Sequence, residues 1–393
     1  MTPDRSNPGS PTRRILIVAG EASADRYGAR LIERLRRRSN GTILEFFGTG
    51  GDQMEAAGVH MVGHARELAH IGPREAFSHL RRYYEVYSEL IQMSGDNPPA
   101  LALLLDFPDF NLRLAKKLKR AQIPVIYYIS PQIWAWRRGR IKSVQRYVDR
   151  MFVILPFEEE FYRRNGVDVE FVGHPILEDF APDYNRQAFL RRLDLDPDRP
   201  TVALLAGSRR KEIDHLLPTM IQAAQSISSR INAQFLISVA PTIDKDHVRR
   251  IATDVMRAES VALTYRLVGA DSRDILANSD FGLVKSGTCT LEAALVGTPF
   301  LIAYKISAAS WQLGKLLIRT PYKGLVNLIA GEQVVPEFFQ EDATPAKLSE
   351  AALEYLGAPK KAAQMRDCLA RIRGMLSVRC ASETVAERVA GYL

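Results

Sequence analysis

One rhythm occurs twice along this chain and limits what it can become: short apolar runs rich in β-branched and aromatic residues alternate with longer stretches of helical periodicity. The first series is ILIVA (15–19), ALLL (102–105), VIYYI (125–129), MFVIL (151–155) and VEFVG (169–173), with helical patterns over 25–38, 111–121 and 157–165. A second series follows the polar stretch 178–200: TVALLA (201–206), QFLISV (234–239), VALTY (261–265), FGLV (281–284) and PFLIAY (299–304). Strands apolar on both faces and separated by helices predict parallel sheets covered on each side. The expectation is an α/β protein of two Rossmann-like domains with an inter-domain cleft, and 393 residues suffice for two cores. The segment EDFAPDYNRQ (178–187) is the linker candidate.

Composition narrows the classes. At 46% hydrophobic and 25% charged residues the chain is globular. Cys289, Cys368 and Cys380 have neither the number for a disulfide framework nor metal-ligand spacing, which fits a reducing compartment. The polar, proline-containing start MTPDRSNPGSPTRR lacks the apolar core of a secretory signal and reads as a flexible tail. No apolar run approaches the ~20 residues that cross a bilayer, so the expectation is a soluble chain or one resting on a membrane surface. A net charge of +8, with basic clusters at 33–38, 80–82, 116–120 and 136–142, favours an anionic partner: nucleic acid, a phosphorylated small molecule or anionic lipid. Solvated helix faces would produce the same clusters.

Polar residues gather where apolar runs end. After the first run, AGEASAD (19–25) offers Glu21, Ser23 and Asp25 but not the glycine spacing of a dinucleotide fingerprint, and no P-loop pattern occurs anywhere. Ser23 or Asp25 would also serve as a helix cap. In LLLDFPDFN (103–111), capping explains Asp109, whereas Asp106 ends a strand and is placed to take a proton as a general base. SPQIWAWRRGR (130–140) sets Trp134 and Trp136 beside Arg137 and Arg138, a pattern for stacking on a sugar and meeting phosphate, or for a core tryptophan beside a surface helix. Gly207, Ser208 and Arg209 lie where a helix start favours an anion, and Ser286, Gly287 and Thr288 repeat that logic with Glu292 one turn on, near a ribose if a diphosphate sits on the turn. Thr288 would equally be a cap.

Taken together, AGEASAD, DFPDFN, YYISPQIWAWRRGRI (127–141), LPFEEEFY (155–162), FVGHP (171–175), AGSRRKEI (206–213), SGTCTLEAALVGTP (286–299) and PYKGLVNLIAGEQVVPEFFQ (321–340) resemble the lipid-A-disaccharide synthase family in the family's order. The resemblance implies the glycosyltransferase B fold, with a tail over 1–13, a first domain over 14–178 rejoined by C-terminal helices 360–393, and a donor domain over 179–359. It implies an inverting transfer from UDP-2,3-diacylglucosamine to its monosaccharide 1-phosphate, lipid X, on the inner face of the cytoplasmic membrane. Asp106 is then the base; Arg209 and Asn327 carry activity or donor binding; Gly207, Ser208, Ser286, Gly287, Thr288 and Glu292 hold UDP. Glu21, Ser23, Asp25, Trp134 and Arg137 would line the acceptor side.

No cofactor and no metal are expected, because arginine and helix ends can offset the departing diphosphate. Ala24, Ala206 and Val326 stand where the family usually has Gly, Pro and Pro. Ala24 matters most, since alanine takes positive φ at a cost and a shifted turn would move Asp25. Segment 67–91 mixes Phe77, Leu80, Tyr83, Tyr84 and Tyr87 with Arg74, Arg81 and Arg82, as suits an anionic interface or, alternatively, a buried amphipathic helix. A UDP-N-acetylglucosamine 2-epimerase, a muropeptide N-acetylglucosaminyl transferase and a nucleic-acid-binding protein are the rival readings; no recognition motif supports the last, and no nucleic-acid partner is expected.

Overall fold

The computed structural model describes residues 11–68, 76–135, 137–180, 184–259, 262–306, 311 and 320–393, with backbone alone at 76–80, 179 and 259. The chain divides into two compact units, Met1–Glu178 with Leu376–Leu393, and Asp179–Met375.

In the first unit seven strands form one sheet: β1 (Thr12–Ala19), β2 (Ile43–Gly50), β3 (Val59–His64), β4 (Leu101–Leu105), β5 (Val125–Tyr128), β6 (Arg150–Val153) and β7 (Val169–Phe171). Their order is β3-β2-β1-β4-β5-β6-β7 and every pairing is parallel. Alternate residues of a strand feed opposite faces: Leu16, Val18, Ala102 and Leu104 join one cluster, while Ile15, Ile17, Leu101 and Leu103 join another. This is why the runs are continuously apolar rather than alternating. Each fully buried Leu or Ile contributes about 1.5–3 kcal/mol.

The second unit carries β8 (Thr201–Leu205), β9 (Gln234–Ser238), β10 (Tyr265–Val268), β11 (Phe281–Lys285), β12 (Phe300–Tyr304) and β13 (Glu337–Phe339), ordered β10-β9-β8-β11-β12-β13 and again parallel throughout. Sequence order reverses between β1 and β4 in the first sheet and between β8 and β11 in the second. At such switch points the connections leave in opposite directions and open a crevice at the strands' carboxyl ends.

Several details differ from the sequence reading. β1 starts at Thr12, so residues 12 and 13 belong to the sheet rather than to a tail. The strand expected at 261–265 begins only at Tyr265. The chain rejoins the first unit at Leu376, one helix later than residue 360. Helix Pro359–Leu376 stays with the second unit, where Arg373 donates to the Leu295 carbonyl (3.2 Å) and Met365 Sδ meets the Phe300 amide (3.4 Å). Helix Ala381–Ala390 then packs Val385, Ala386 and Val389 into the cluster holding Leu31, Ile32 and Leu35, and Glu178 accepts from the Ser382 amide at 2.8 Å.

Candidate active site

Asp106 stands at the first switch point, directly after β4. It and Phe107 take left-handed backbone angles in succession, φ 47° and 45°, which non-glycine residues adopt only under constraint. The constraint is visible. The Asp106 amide donates to the Tyr128 carbonyl (3.2 Å), and its own carbonyl accepts from Asn111 Nδ2 (2.8 Å) and the Tyr127 hydroxyl. The Phe107 ring stacks on Phe110 (5.2 Å, 17°) and occupies the space where a side chain at Gly20 would project. Only glycine after β1 permits that approach.

Burial pushes the Asp106 carboxyl up to about 7; the neighbouring charge of Glu21 adds to the rise, and the Phe107 amide opposes it. A carboxylate tuned to that range suits proton abstraction near neutral pH. Glu21 precedes helix Ala22–Arg38 and is exposed, as is Ser23 in its first turn.

Two expected acceptor-side residues, Asp25 and Trp134, have structural employment instead. Asp25 is buried and caps a different helix, Asp52–Ala56: its Oδ1 accepts from the Gly51 (2.6 Å) and Met54 (3.0 Å) amides and its Oδ2 from Gln53 (3.1 Å). Ala24 lies inside helix Ala22–Arg38 and not in a left-handed turn, so the shift expected from its missing glycine does not arise. Trp134 is buried, with its indole N–H on Glu158 Oε1 (2.9 Å) and its ring edge-on to Phe157. It is a core tryptophan and offers no sugar platform; Trp136 lies outside the described residues. Arg137 reaches Asp109 at 3.1 Å, and Arg140 binds the same carboxylate.

Sequence reasoning passed over Glu158. Fully buried, it accepts from Ser130 (2.7 Å), Trp134 and the Leu155 amide (3.1 Å), so it fixes the loop after β5. Burial raises its carboxyl to about 7 against the pull of those hydrogen bonds.

The second switch point gathers the other candidates. Gly207 has φ 123°, and a β-carbon there would strike the Glu212 carboxylate. Arg209 precedes helix Arg210–Ser228 with a largely exposed side chain, its guanidinium 3.4 Å from Glu212 Oε1. Glu212 is buried and joins both loops, accepting from the Ser208 amide (3.3 Å) and pairing with Lys285 Nζ (2.9 Å) at the end of β11. Lys285 also sits over the turn, its Nζ 3.3 Å from where a β-carbon on Gly287 would be. Neither Glu212 nor Lys285 was singled out from sequence; a lone cation closing an apolar run was the available signal.

The turn itself is partly committed. The Ser286 amide donates to the Ala303 carbonyl (3.2 Å) and so belongs to the sheet, which leaves the start of helix Thr288–Val296, from Gly287 onward, to receive an anion. Thr288 is exposed there, and Glu292 holds Ser272 Oγ at 2.5 Å.

Asn327 differs most from expectation. It is fully buried, donating to the Val335 carbonyl (2.9 Å) and Glu337 Oε1 (2.8 Å) and accepting from the Val334 (2.8 Å) and Val335 (2.9 Å) amides. Its amide is saturated, so it braces the loop before β13 rather than touching a donor. One trio in the first unit, Asp52, Glu55 and His64, brings possible ligand atoms within 4.8 Å, but the Arg66 guanidinium already contacts both Asp52 and His64.

Two all-parallel, doubly wound sheets with polar loops at their switch points define the glycosyltransferase B architecture of nucleotide-sugar enzymes. In keeping with that class, the fold is similar to UDP-GlcNAc 2-epimerase from Neisseria meningitidis (TM-score 0.66, 12% identity, 96% of this chain and 100% of that one) and to the glycotransferase of kitacinnamycin (TM-score 0.63, 12% identity, 97% and 99%). At that identity the likeness carries the fold alone. The sequence goes further: the family model for lipid-A-disaccharide synthetase matches residues 15–389. Curated lipid-A-disaccharide synthases are 41% identical over 379 residues in Myxococcus xanthus (96% of both chains) and 40% over 387 residues in Geobacter metallireducens (98% and 97%). The chain belongs to the lipid-A-disaccharide synthetase family.

Proposed function

We propose that this enzyme is the glycosyltransferase that condenses UDP-2,3-diacylglucosamine with 2,3-diacylglucosamine 1-phosphate, releasing UDP and the β-1,6-linked disaccharide 1-phosphate of lipid A biosynthesis. Family membership across nearly the whole chain supports the activity. The observation that carries the mechanism is Asp106, a constrained carboxyl raised to about 7 at a sheet switch point.

Asp106 accepts the proton of the acceptor 6-hydroxyl while that oxygen attacks the anomeric carbon from the face opposite UDP, which inverts the configuration. The bond to the UDP oxygen breaks as the new bond forms. Negative charge growing on UDP is met in the second unit by Arg209, Lys285 and the start of helix Thr288–Val296. Those groups act without a metal ion. Gly207 keeps the backbone accessible, Ser208 and Thr288 offer hydroxyls, and Glu292 takes the ribose hydroxyls. The first unit is thus the acceptor domain, with Glu21 beside the base and Ser23 exposed in the first turn of helix Ala22–Arg38, and the second unit is the donor domain.

Acylated substrates place the enzyme at the inner face of the cytoplasmic membrane as a peripheral protein. Among the described residues no helix is long and apolar enough to cross a membrane. The deciding test is UDP release by wild type and Asp106→Asn with both substrates in detergent micelles. A loss of about 10²–10⁴-fold is expected; equal rates would remove Asp106 as the base, and no UDP release from wild type would remove the activity.

A further inference from the structure

We propose that Tyr304, the last residue of β12, belongs to the donor site and donates its phenol hydrogen to the distal phosphate of the departing nucleoside diphosphate. The inference rests on the proposed use of a UDP-sugar and adds one group to the residues that would bind it. In the sequence Tyr304 reads only as the end of the apolar run PFLIAY. Its neighbours in the fold give it a different part.

β12 pairs with β11 so that Ala303 lies opposite Lys285, and the Ser286 amide donates to the Ala303 carbonyl at 3.2 Å. Tyr304 therefore flanks the 286–288 turn. Its half-buried ring faces Lys285 Nζ at 5.6 Å and packs against Phe339, its partner in β13, at 6.3 Å and 64°. Burial holds the hydroxyl above the usual phenol range; the Glu212 carboxylate adds to the rise and Arg209 opposes it. The phenol thus stays protonated near neutral pH, within electrostatic reach of the charged groups at the second switch point. Among the described residues its hydroxyl has no hydrogen-bond partner.

The sheet order sets the direction of the nucleotide. Glu292, assigned to the ribose, is held at 2.5 Å by Ser272, which opens the helix after β10. β10 and β12 lie on opposite sides of β11 in the order β10-β9-β8-β11-β12-β13. A diphosphate seated on the turn with its ribose toward Ser272 presents its second phosphate to β12 and Tyr304. That phosphate keeps the oxygen released by the anomeric carbon, so a hydrogen bond to it strengthens as charge develops during the transfer. The O–H donor adds this without placing another cation beside Arg209 and Lys285.

The test measures UDP and UMP binding by titration calorimetry, and turnover of the UDP-sugar in detergent micelles, for full-length wild type, Y304F and Y265F. Y304F keeps the ring and loses only the hydroxyl. Tyr265 is the control, because it opens β10 at the end of the parallel sheet away from the turn. Y304F should bind UDP about 10–100-fold more weakly, the range of one hydrogen bond to a charged group, and bind UMP as wild type does. Its kcat/KM for the donor should fall by about the same factor with the acceptor KM unchanged. Y265F should match wild type throughout. Equal UDP affinity in Y304F and wild type would overturn the role of Tyr304. Equal loss for UDP and UMP, or the same loss in Y265F, would trace the effect to folding and overturn it as well. Wild type that binds UDP no more tightly than UMP would instead remove the diphosphate assignment on which the inference rests.

Discussion

Buried Glu212 and half-buried Lys285 form an ion pair, 2.9 Å apart, that ties the loop after β8 to the end of β11. Because Glu212 also accepts from the Ser208 amide, one carboxylate sets the position of both loops. Lys285→Met should raise the KM for the UDP-sugar roughly 10–100-fold, the range of one charged hydrogen bond, with a smaller change in the acceptor KM. Glu212→Gln should lower kcat and raise donor KM together, since it loosens the loops and leaves Lys285 without its counter-charge. Steady-state kinetics with each substrate varied in turn would check both.

With Asp106 ionising at about 7, kcat/KM should rise with pH across the interval around 7 and then level off. Glu21→Gln removes a like charge, so the rise should move to lower pH. A profile unmoved by that substitution would show that the Glu21 charge adds nothing to the rise that burial gives Asp106.

The same residue has a stability signature. The folded-state carboxyl lies above its ordinary 3.8, so its contribution is fully present below about pH 4 and is lost as pH rises through about 7. Asp106→Asn does not ionise. Its melting temperature relative to wild type should therefore increase between pH 5 and pH 8, read by calorimetry on both proteins in matched buffers.

Asn327→Ala should act on folding. It leaves the Val334 and Val335 amides and Glu337 without their buried partner, a cost on the order of 2–4 kcal/mol in urea denaturation. A direct role in donor binding would instead leave stability intact and change only kinetics.

If cations and helix ends carry the diphosphate's charge, enzyme dialysed against EDTA should retain its turnover. Loss of activity restored by Mg²⁺ would contradict that assignment.

The strands that proved easiest to read were those buried on both faces, β1, β4, β8 and β11, because nothing polar interrupts them. β2 alternates exposed and buried residues at its start, β3 contains two histidines, and β13 has three residues, so none shows the same signature. The positions of Asp106, Arg209 and the 286–288 turn at strand ends were legible because they follow such strands. What a motif does not reveal is the direction of a side chain. Asp25 and Asn327 look like site residues in sequence, yet Asp25 spends its carboxylate on amides just past the next strand, β2, and Asn327 spends its amide on the loop before β13 and on Glu337. Glu158 and Glu212 were invisible for the converse reason: their partners lie on separate elements that only the fold brings together.

Because Val385, Ala386 and Val389 complete the core begun by Leu31 and Ile32, the amino-terminal unit stays unfinished until residues 381–390 have been made. The continuous stretch 179–375 needs nothing further and can fold while its predecessor waits on the ribosome. A nonsense codon near residue 380 would therefore damage the half of the protein made first.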